Sequence, residues 1–376
     1  MMIPQTRLAI RGRSAQWACL QQVQRAAREQ RFYKPYISVP RSFASKPPSN
    51  NSSSSSLASS LLHSTTSPTI PAPRNPSRTM ATTSQPTTST PPTPQSKDWS
   101  ATQYLKFSNE RTRPVHDLIA QVAPYLSSKP NPRIYDLGCG PGNSTSALLS
   151  AFPGARITGV DASADMLAKA RATLPEVPFI QADLSTFSPG EAEGEGEEKT
   201  DLLFSNAVFH WLRTPSRLQT LTTLFSRLPP GGILAFQMPD NYTQPSHAQM
   251  RRVAAQPSQP WSPFFSSTAI GELADKERPD LDPIEPLADY YNALSPLGNV
   301  DMWHTTYAHV VSDAAAVVEW VKGSGLQPFL QRIGEEGARG AFLREYEGSL
   351  KEGYPVMRDE KVILKYPRLF VVAVRT

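Results

Sequence analysis

Two carboxylates and three glycines stand at spacings that could hold a nucleoside. In Ile134-Tyr135-Asp136-Leu137-Gly138-Cys139-Gly140-Pro141-Gly142-Asn143-Ser144, an apolar run breaks into glycines at alternate positions and then into a helical pattern expected to be capped by Asn143. A buried strand that runs into a glycine loop and a helix is the entrance to a nucleotide crevice. Glycine lets the backbone lie flat against a bulky ligand. The next strand, Arg156 to Val160, ends in Asp161, a carboxylate where a ribose would present its hydroxyls. Alone the glycine motif is weak, because a helix-entry turn can use glycine for its own geometry. The carboxylate that closes the next strand is a second, independent match.

A dinucleotide fingerprint, G-x-G-x-x-G, would need its third glycine at 143, where this chain has Asn. The spacing 138, 140, 142 suits S-adenosylmethionine better than NAD, and a dinucleotide-dependent oxidoreductase is the rival reading that Asn143 disfavours.

These groups need a frame, and the chain supplies one from Arg133 onward, where strands and helices alternate: an α/β pattern that predicts a parallel sheet with helices on both faces. Strands are expected over 133–137, 156–160, 177–181, 201–205 and 233–237, with helices at 143–152, after a Ser163 cap, and at 216–228. The acidic insert Glu191 to Glu198 reads as a solvated loop, and Pro229-Pro230-Gly231-Gly232 as a turn. Residues 239–300, rich in Pro and aromatics, interrupt the alternation and read as a lid or substrate-binding insertion. A strand at 303–311, helices at 313–322 and 335–350, and a last strand at 368–375 predict an antiparallel pair at the end.

Composition divides the chain near residue 97. Residues 1–97 hold 12 of the 38 Lys and Arg but one of the 33 acids, Glu29, which leaves 26 bases against 32 acids and a net charge of −6 for the remainder. The overall pI of 9.1 therefore belongs to the leader. Nucleic-acid binding is not expected, since it needs a basic folded surface. No apolar run approaches the roughly 18 residues of a membrane span. Two cysteines, Cys19 and Cys139, and scattered histidines make neither a disulfide framework nor a metal site.

The first 45 residues are Arg-rich, with Trp17, Leu20, Val23 and Ala27 on one helical side, as in a mitochondrial presequence, and Arg41-Ser42-Phe43-Ala44-Ser45 resembles its cleavage site. Residues 46–97, mostly Ser, Thr and Pro, read as a disordered linker. A matrix location follows from this leader, whereas translation starting at Met80 would leave a cytoplasmic protein.

With these residues in view, the chain from Asp98 to Thr376 resembles the class I S-adenosylmethionine-dependent methyltransferases, and within them the trans-aconitate methyltransferase family. The glycine segment marks the superfamily only. More specific are Asp98-Trp99 with Tyr104-Leu105-Lys106-Phe107 and Glu110-Arg111; Asn206-Ala207 with His210-Trp211-Leu212; Gln237-Met238-Pro239-Asp240-Asn241; Asp301-Met302-Trp303-His304-Thr305-Thr306-Tyr307; and Tyr366-Pro367-Arg368-Leu369-Phe370. The acidic insert and the long leader depart from the bacterial form.

The resemblance implies a Rossmann-like, mostly parallel seven-stranded sheet, and a monomer that methylates a carboxylate of a small polycarboxylic acid. Isopropylmalate or a malonyl thioester is the alternative acceptor. It implies that Asp136, Gly138 and Gly140 line the methionine part of the cofactor, Asp161 the ribose and Asp183 the adenine amine, with Met166 against adenine. Asn206 would face the reactive methyl. Arg111, His210, Trp211, His304, Tyr307 and Arg368 are the candidates for holding substrate, because the arginine fork matches carboxylate. No general base is implied: a carboxylate is already ionised at neutral pH, and alignment by Asn206, His210 and Trp211 would suffice.

Overall fold

The computed structural model describes residues 108–189 and 199–376. The expected presequence and linker, the segments from Asp98 to Phe107 and the acidic insert lie outside the described residues. Seven strands are present: β1 (Arg133–Leu137), β2 (Arg156–Asp161), β3 (Phe179–Gln181), β4 (Leu202–Asn206), β5 (Ile233–Pro239), β6 (Gly298–Val311) and β7 (Val362–Arg375). They form one sheet in the order β3-β2-β1-β4-β5-β7-β6. β1 to β5 are parallel, and β7 runs antiparallel to both β5 and β6. The chain goes from β1 outward to β3 and then back to β4 on the other side. That reversal opens a crevice at the carboxyl ends of β1 and β4, where ligands bind in open α/β sheets.

The helices around the sheet are α1 (Ser108–Leu126), α2 (Asn143–Ala151), α3 (Ala164–Thr173), α4 (Ser216–Ser226) and α6 (Leu287–Leu294). Side chains alternate across a strand, and here both faces are apolar. Ile134, Leu202, Phe204, Ile233, Ala235, Phe370 and Val372 pack under α1 and α2. Their neighbours Tyr135, Leu137, Leu203, Leu234, Phe236, Leu369 and Val371 pack under α4 and α6. A sheet covered on both faces needs such near-continuous apolar strands. α3 starts as expected, with the Ser163 hydroxyl accepting from the Met166 N–H at 3.2 Å. Asn143, expected as a cap, is instead the first residue of α2. The preceding position is Gly142, whose φ of 95° only glycine adopts readily, and it makes no side-chain cap.

β6 and β7 are longer than the sheet requires. β5 pairs with β7 only from Arg368 to Val374, so Val362 to Pro367 project past the parallel strands together with the far half of β6. On this projection sits a helical cap of α5 (Pro245–Ala254), α7 (Ala314–Lys322), α8 (Gln327–Arg332) and α9 (Glu336–Gly353). Its core joins Met250, Trp261, Phe265, Trp320, Phe329, Phe342 and Tyr346 to Val362, Leu364 and Tyr366 of β7. The segment 239–300, read from sequence as one insertion, is divided: α5 joins the cap, whereas Tyr290 and Leu294 of α6 belong to the core beneath the sheet. A helix as short as α5 cannot bury its apolar stripe alone, and α9, more than eighty residues later, covers it: the Tyr346 hydroxyl donates to the Ser246 carbonyl at 2.8 Å.

Candidate active site

Above the carboxyl ends of β1 to β5 lies a cavity of about 340 Å³, walled by the glycine loop, the ends of β2 to β4, the turn after β4 and the cap. The loop begins at Gly138 and turns through three glycines of positive φ: 70° at Gly138, 55° at Gly140 and 95° at Gly142. A Cβ on Gly138 would come within 2.3 Å of the Val208 side chain. At Gly140 an added Cβ would meet nothing within 4 Å, and Gly140 lines the cavity, so its bare backbone faces ligand space. Asp161 fastens this loop. One carboxylate oxygen accepts from the Gly140 N–H at 2.8 Å and the other from the Ser163 N–H at 2.9 Å.

Asp136 is placed differently from the wall position implied for it. It is fully buried in β1 beneath the loop and accepts from the Ser144 and Thr145 hydroxyls at 2.7 and 2.6 Å, which pins the first turn of α2. Burial pushes its carboxyl up to about 6, against those two hydrogen bonds. Its other oxygen has no hydrogen-bond partner among the described residues. Asp183, two residues past β3, and buried Met166, on α3, both line the cavity. Asp183 also caps its own turn, accepting from the Ser185 N–H and hydroxyl at 2.8 Å.

The opposite end is basic. Arg111, in the first turns of α1, donates through Nη2 to the Trp320 carbonyl at 2.8 Å and lies 5.4 Å from the centre of that indole. Arg368, on β7, donates through Nη1 to Gln237 Oε1 at 2.9 Å and lies 5.0 Å from the Tyr366 ring centre. Both arginines are buried and line the cavity. Between them and the glycine loop, Asn206 ends β4, and a tight turn brings His210 and Trp211 to the same wall. Phe209 anchors that turn in the core, its ring 5.6 Å from Phe236. Burial, followed by Arg217, Arg368 and His247, holds the His210 imidazole well below its ordinary pKa of 6.5, so the ring is neutral at physiological pH. Its Nδ1 is buried without a hydrogen-bond partner among the described residues.

Two candidates do not reach this wall. Alternation along β6 turns Tyr307 toward α1, where its hydroxyl donates to Asp117 at 2.5 Å and its ring lies 6.0 Å below the Arg368 guanidinium. His304 falls on the opposite, exposed face and contacts Asp240 at 3.0 Å. The structure thus brings together Gly138, Gly140, Asp161, Met166, Asp183, Asn206, Arg111, His210, Trp211 and Arg368.

Residues 135–234 match the model of a methyltransferase domain. The chain is 47% identical over 281 residues to the trans-aconitate 2-methyltransferase of Agrobacterium fabrum, an alignment covering 74% of this chain and 99% of that protein. Against the enzymes of the same name from Rhodopseudomonas palustris (strain BisB18) and Paracidovorax citrulli, identity is 46% over 279 residues and 45% over 280, again covering 74% of this chain and 99% of each relative. The chain belongs to this family. It is a methyltransferase, and S-adenosylmethionine is its methyl donor.

The donor fits the residues present: two carboxylates, Asp161 and Asp183, able to accept from hydroxyls and an amine on one side, and open space at Gly140 that a Cβ would fill. Among the described residues there is no cluster of His, Cys, Asp or Glu able to hold a metal, and no helix long and apolar enough to cross a membrane.

Sequence reasoning missed the supports. Fully buried Arg217 donates through Nε to the Phe209 carbonyl at 3.1 Å and pairs with Glu285 at 2.6 Å, holding the His210 turn against the irregular segment before α6. Arg278 and Arg213 converge on Asp282, the latter at 3.0 Å. The signal was an arginine in line with Leu221 and Leu224 on the apolar stripe of α4. Gln237, fully buried, has no sequence signal beyond its place in Gln237-Met238-Pro239-Asp240-Asn241.

Proposed function

We propose that this chain transfers a methyl group from S-adenosylmethionine to a carboxylate of trans-aconitate, giving a monomethyl ester and S-adenosylhomocysteine. The observation that carries this reading is the division of charge within one cavity: Asp161 and Asp183 at the β2–β3 side, Arg111 and Arg368 at the β5–β7 side, with neutral His210 between. A cationic, hydroxyl-bearing donor suits the first end and a small polyanion the second.

When bound, the cofactor supplies an electrophilic methyl group on a sulfonium. Gly138 and Gly140 offer bare backbone to its amino-acid arm, with Asp136 setting the loop from beneath, while Asp161 accepts from the ribose hydroxyls. Asp183 takes the adenine amine and Met166 packs on the ring. Arg111 and Arg368 bind the carboxylates that do not react, and so set the angle of the one that does. Held in line with the methyl, that oxygen gains roughly 7–11 kcal/mol from proximity and orientation. Neutral His210 and Trp211 complete the wall without taking a proton, because the attacking oxygen carries none.

An acid panel tests the reading. Trans-aconitate should give the highest kcat/KM, above isopropylmalate and malonyl thioesters; a panel led by either alternative would reassign the substrate. We infer further that residues 1–45 address the chain to mitochondria, that 46–97 is a linker to a methyltransferase unit at 98–376, and that the enzyme works as a monomer. A reporter fused to residues 1–45 should localise to mitochondria; diffuse signal favours the start at Met80. Sedimentation reads the oligomeric state.

A further inference from the structure

Arg368, Gln237 and Asn206 form a row across three adjacent strands, β7, β5 and β4. The Gln237 side chain is fully buried and engaged at both ends: its Oε1 accepts from Arg368 Nη1 at 2.9 Å, and its Nε2 donates to Asn206 Oδ1. Arg368 and Asn206 line the cavity; Gln237 does not.

The chemistry of the three groups gives the row a direction. A guanidinium can only donate, so the amide oxygen of Gln237 must face Arg368 and its NH2 must face Asn206. Asn206 then has to offer its oxygen to Gln237, which turns its own NH2 toward the cavity. The arginine charge therefore fixes the orientation of an amide that it does not touch. A hydrogen-bond donor aimed into the cavity attracts a carboxylate, whereas an amide oxygen there would repel one.

We propose that Gln237 is a positioning residue for acid recognition: it relays the donor polarity of Arg368 to Asn206, so that the end of β4 presents N–H to the carboxylate being methylated. This rests on the substrate class proposed above and adds a determinant outside the cavity wall. A buried polar residue with both ends satisfied by unique partners is rigid, which suits a relay of this kind.

Gln237→Glu tests it with almost no change of shape. A carboxylate at 237 accepts from both sides, so Asn206 reverses and presents oxygen to the cavity, while the charge of Arg368 is offset. The expected result is a KM for trans-aconitate raised by about tenfold or more, the range for hydrogen bonds to charged groups. Affinity for S-adenosylhomocysteine should stay within about twofold, and thermal stability should not fall below the parent's. Asn206→Asp, which leaves the buried glutamine in place, should raise KM in the same way by putting oxygen at the same point. If both variants keep the parent's KM, the relay is overturned. Equal loss of cofactor and acid binding by Gln237→Glu also overturns it, since that marks a merely structural role. The parent enzyme separates the two claims: one that methylates a different acid of the panel contradicts the substrate assignment, and the same variants are then read with that acid. A parent that methylates none overturns both.

Discussion

The Gly140 N–H donates to Asp161 at 2.8 Å, so the carboxylate that faces the cavity is also the fastener of the glycine loop. Asp161→Ala removes both roles. S-adenosylhomocysteine should bind more weakly, with each lost hydrogen bond to the carboxylate contributing about 1.5–3 kcal/mol. Calorimetry on variant shown by circular dichroism to be folded reads the effect; parental affinity would remove Asp161 from the ribose.

Arg111 separates substrate from cofactor. Arg111→Lys keeps the charge but loses the planar fork that reaches both the Trp320 carbonyl and a carboxylate. The KM for trans-aconitate should rise, with kcat/KM falling by roughly 1.5–3 kcal/mol, while S-adenosylhomocysteine affinity changes less than about twofold. Parallel weakening of both ligands would make it a structural arginine.

Because burial and neighbouring cations keep His210 neutral, and the acid is ionised well below neutrality, kcat should be level from about pH 6.5 to 9. A profile that falls on an apparent pKa near that of a free imidazole would instead give a histidine a proton to move.

Asp136 predicts a stability trend. Its folded carboxyl sits at about 6, above the ordinary 3.8, chiefly because it is buried. The folded chain therefore holds this proton more tightly than the unfolded chain, so the contribution is intact below pH 3.8 and lost as pH rises through about 6. In cofactor-free protein, Asp136→Asn keeps an acceptor for Ser144 and Thr145 and should stabilise at pH 8 by on the order of 1–3 kcal/mol, with little gain at pH 4. Melting temperatures measured at both pH values check the sign; an equal gain at each would contradict it.

The parallel half of the fold was legible because its signals are local. Each strand from Arg133 to Gln237 is a short apolar run, and the polar residues at or just past their ends, Asp161, Asp183 and Asn206, are the ones that line the cavity. The cap was not legible in the same way, because its core pairs Met250 with residues almost a hundred positions away such as Tyr346, and no local pattern records that. Asn143 has cap chemistry, but the left-handed turn at Gly142 moved the cap position back by one. Tyr307 and His304 share a motif yet point apart, since three residues along a strand place them on opposite faces. The buried pair of Arg217 with Glu285 joins elements 68 positions apart and left only a charge on an apolar stripe as its trace.

The most direct test supplies S-adenosylmethionine carrying a carbon-13 methyl group together with trans-aconitate and follows the reaction by NMR. One enriched ester-methyl signal should grow in step with S-adenosylhomocysteine, and its couplings name the carboxylate. Tight binding of S-adenosylhomocysteine with no ester signal from trans-aconitate would contradict the account.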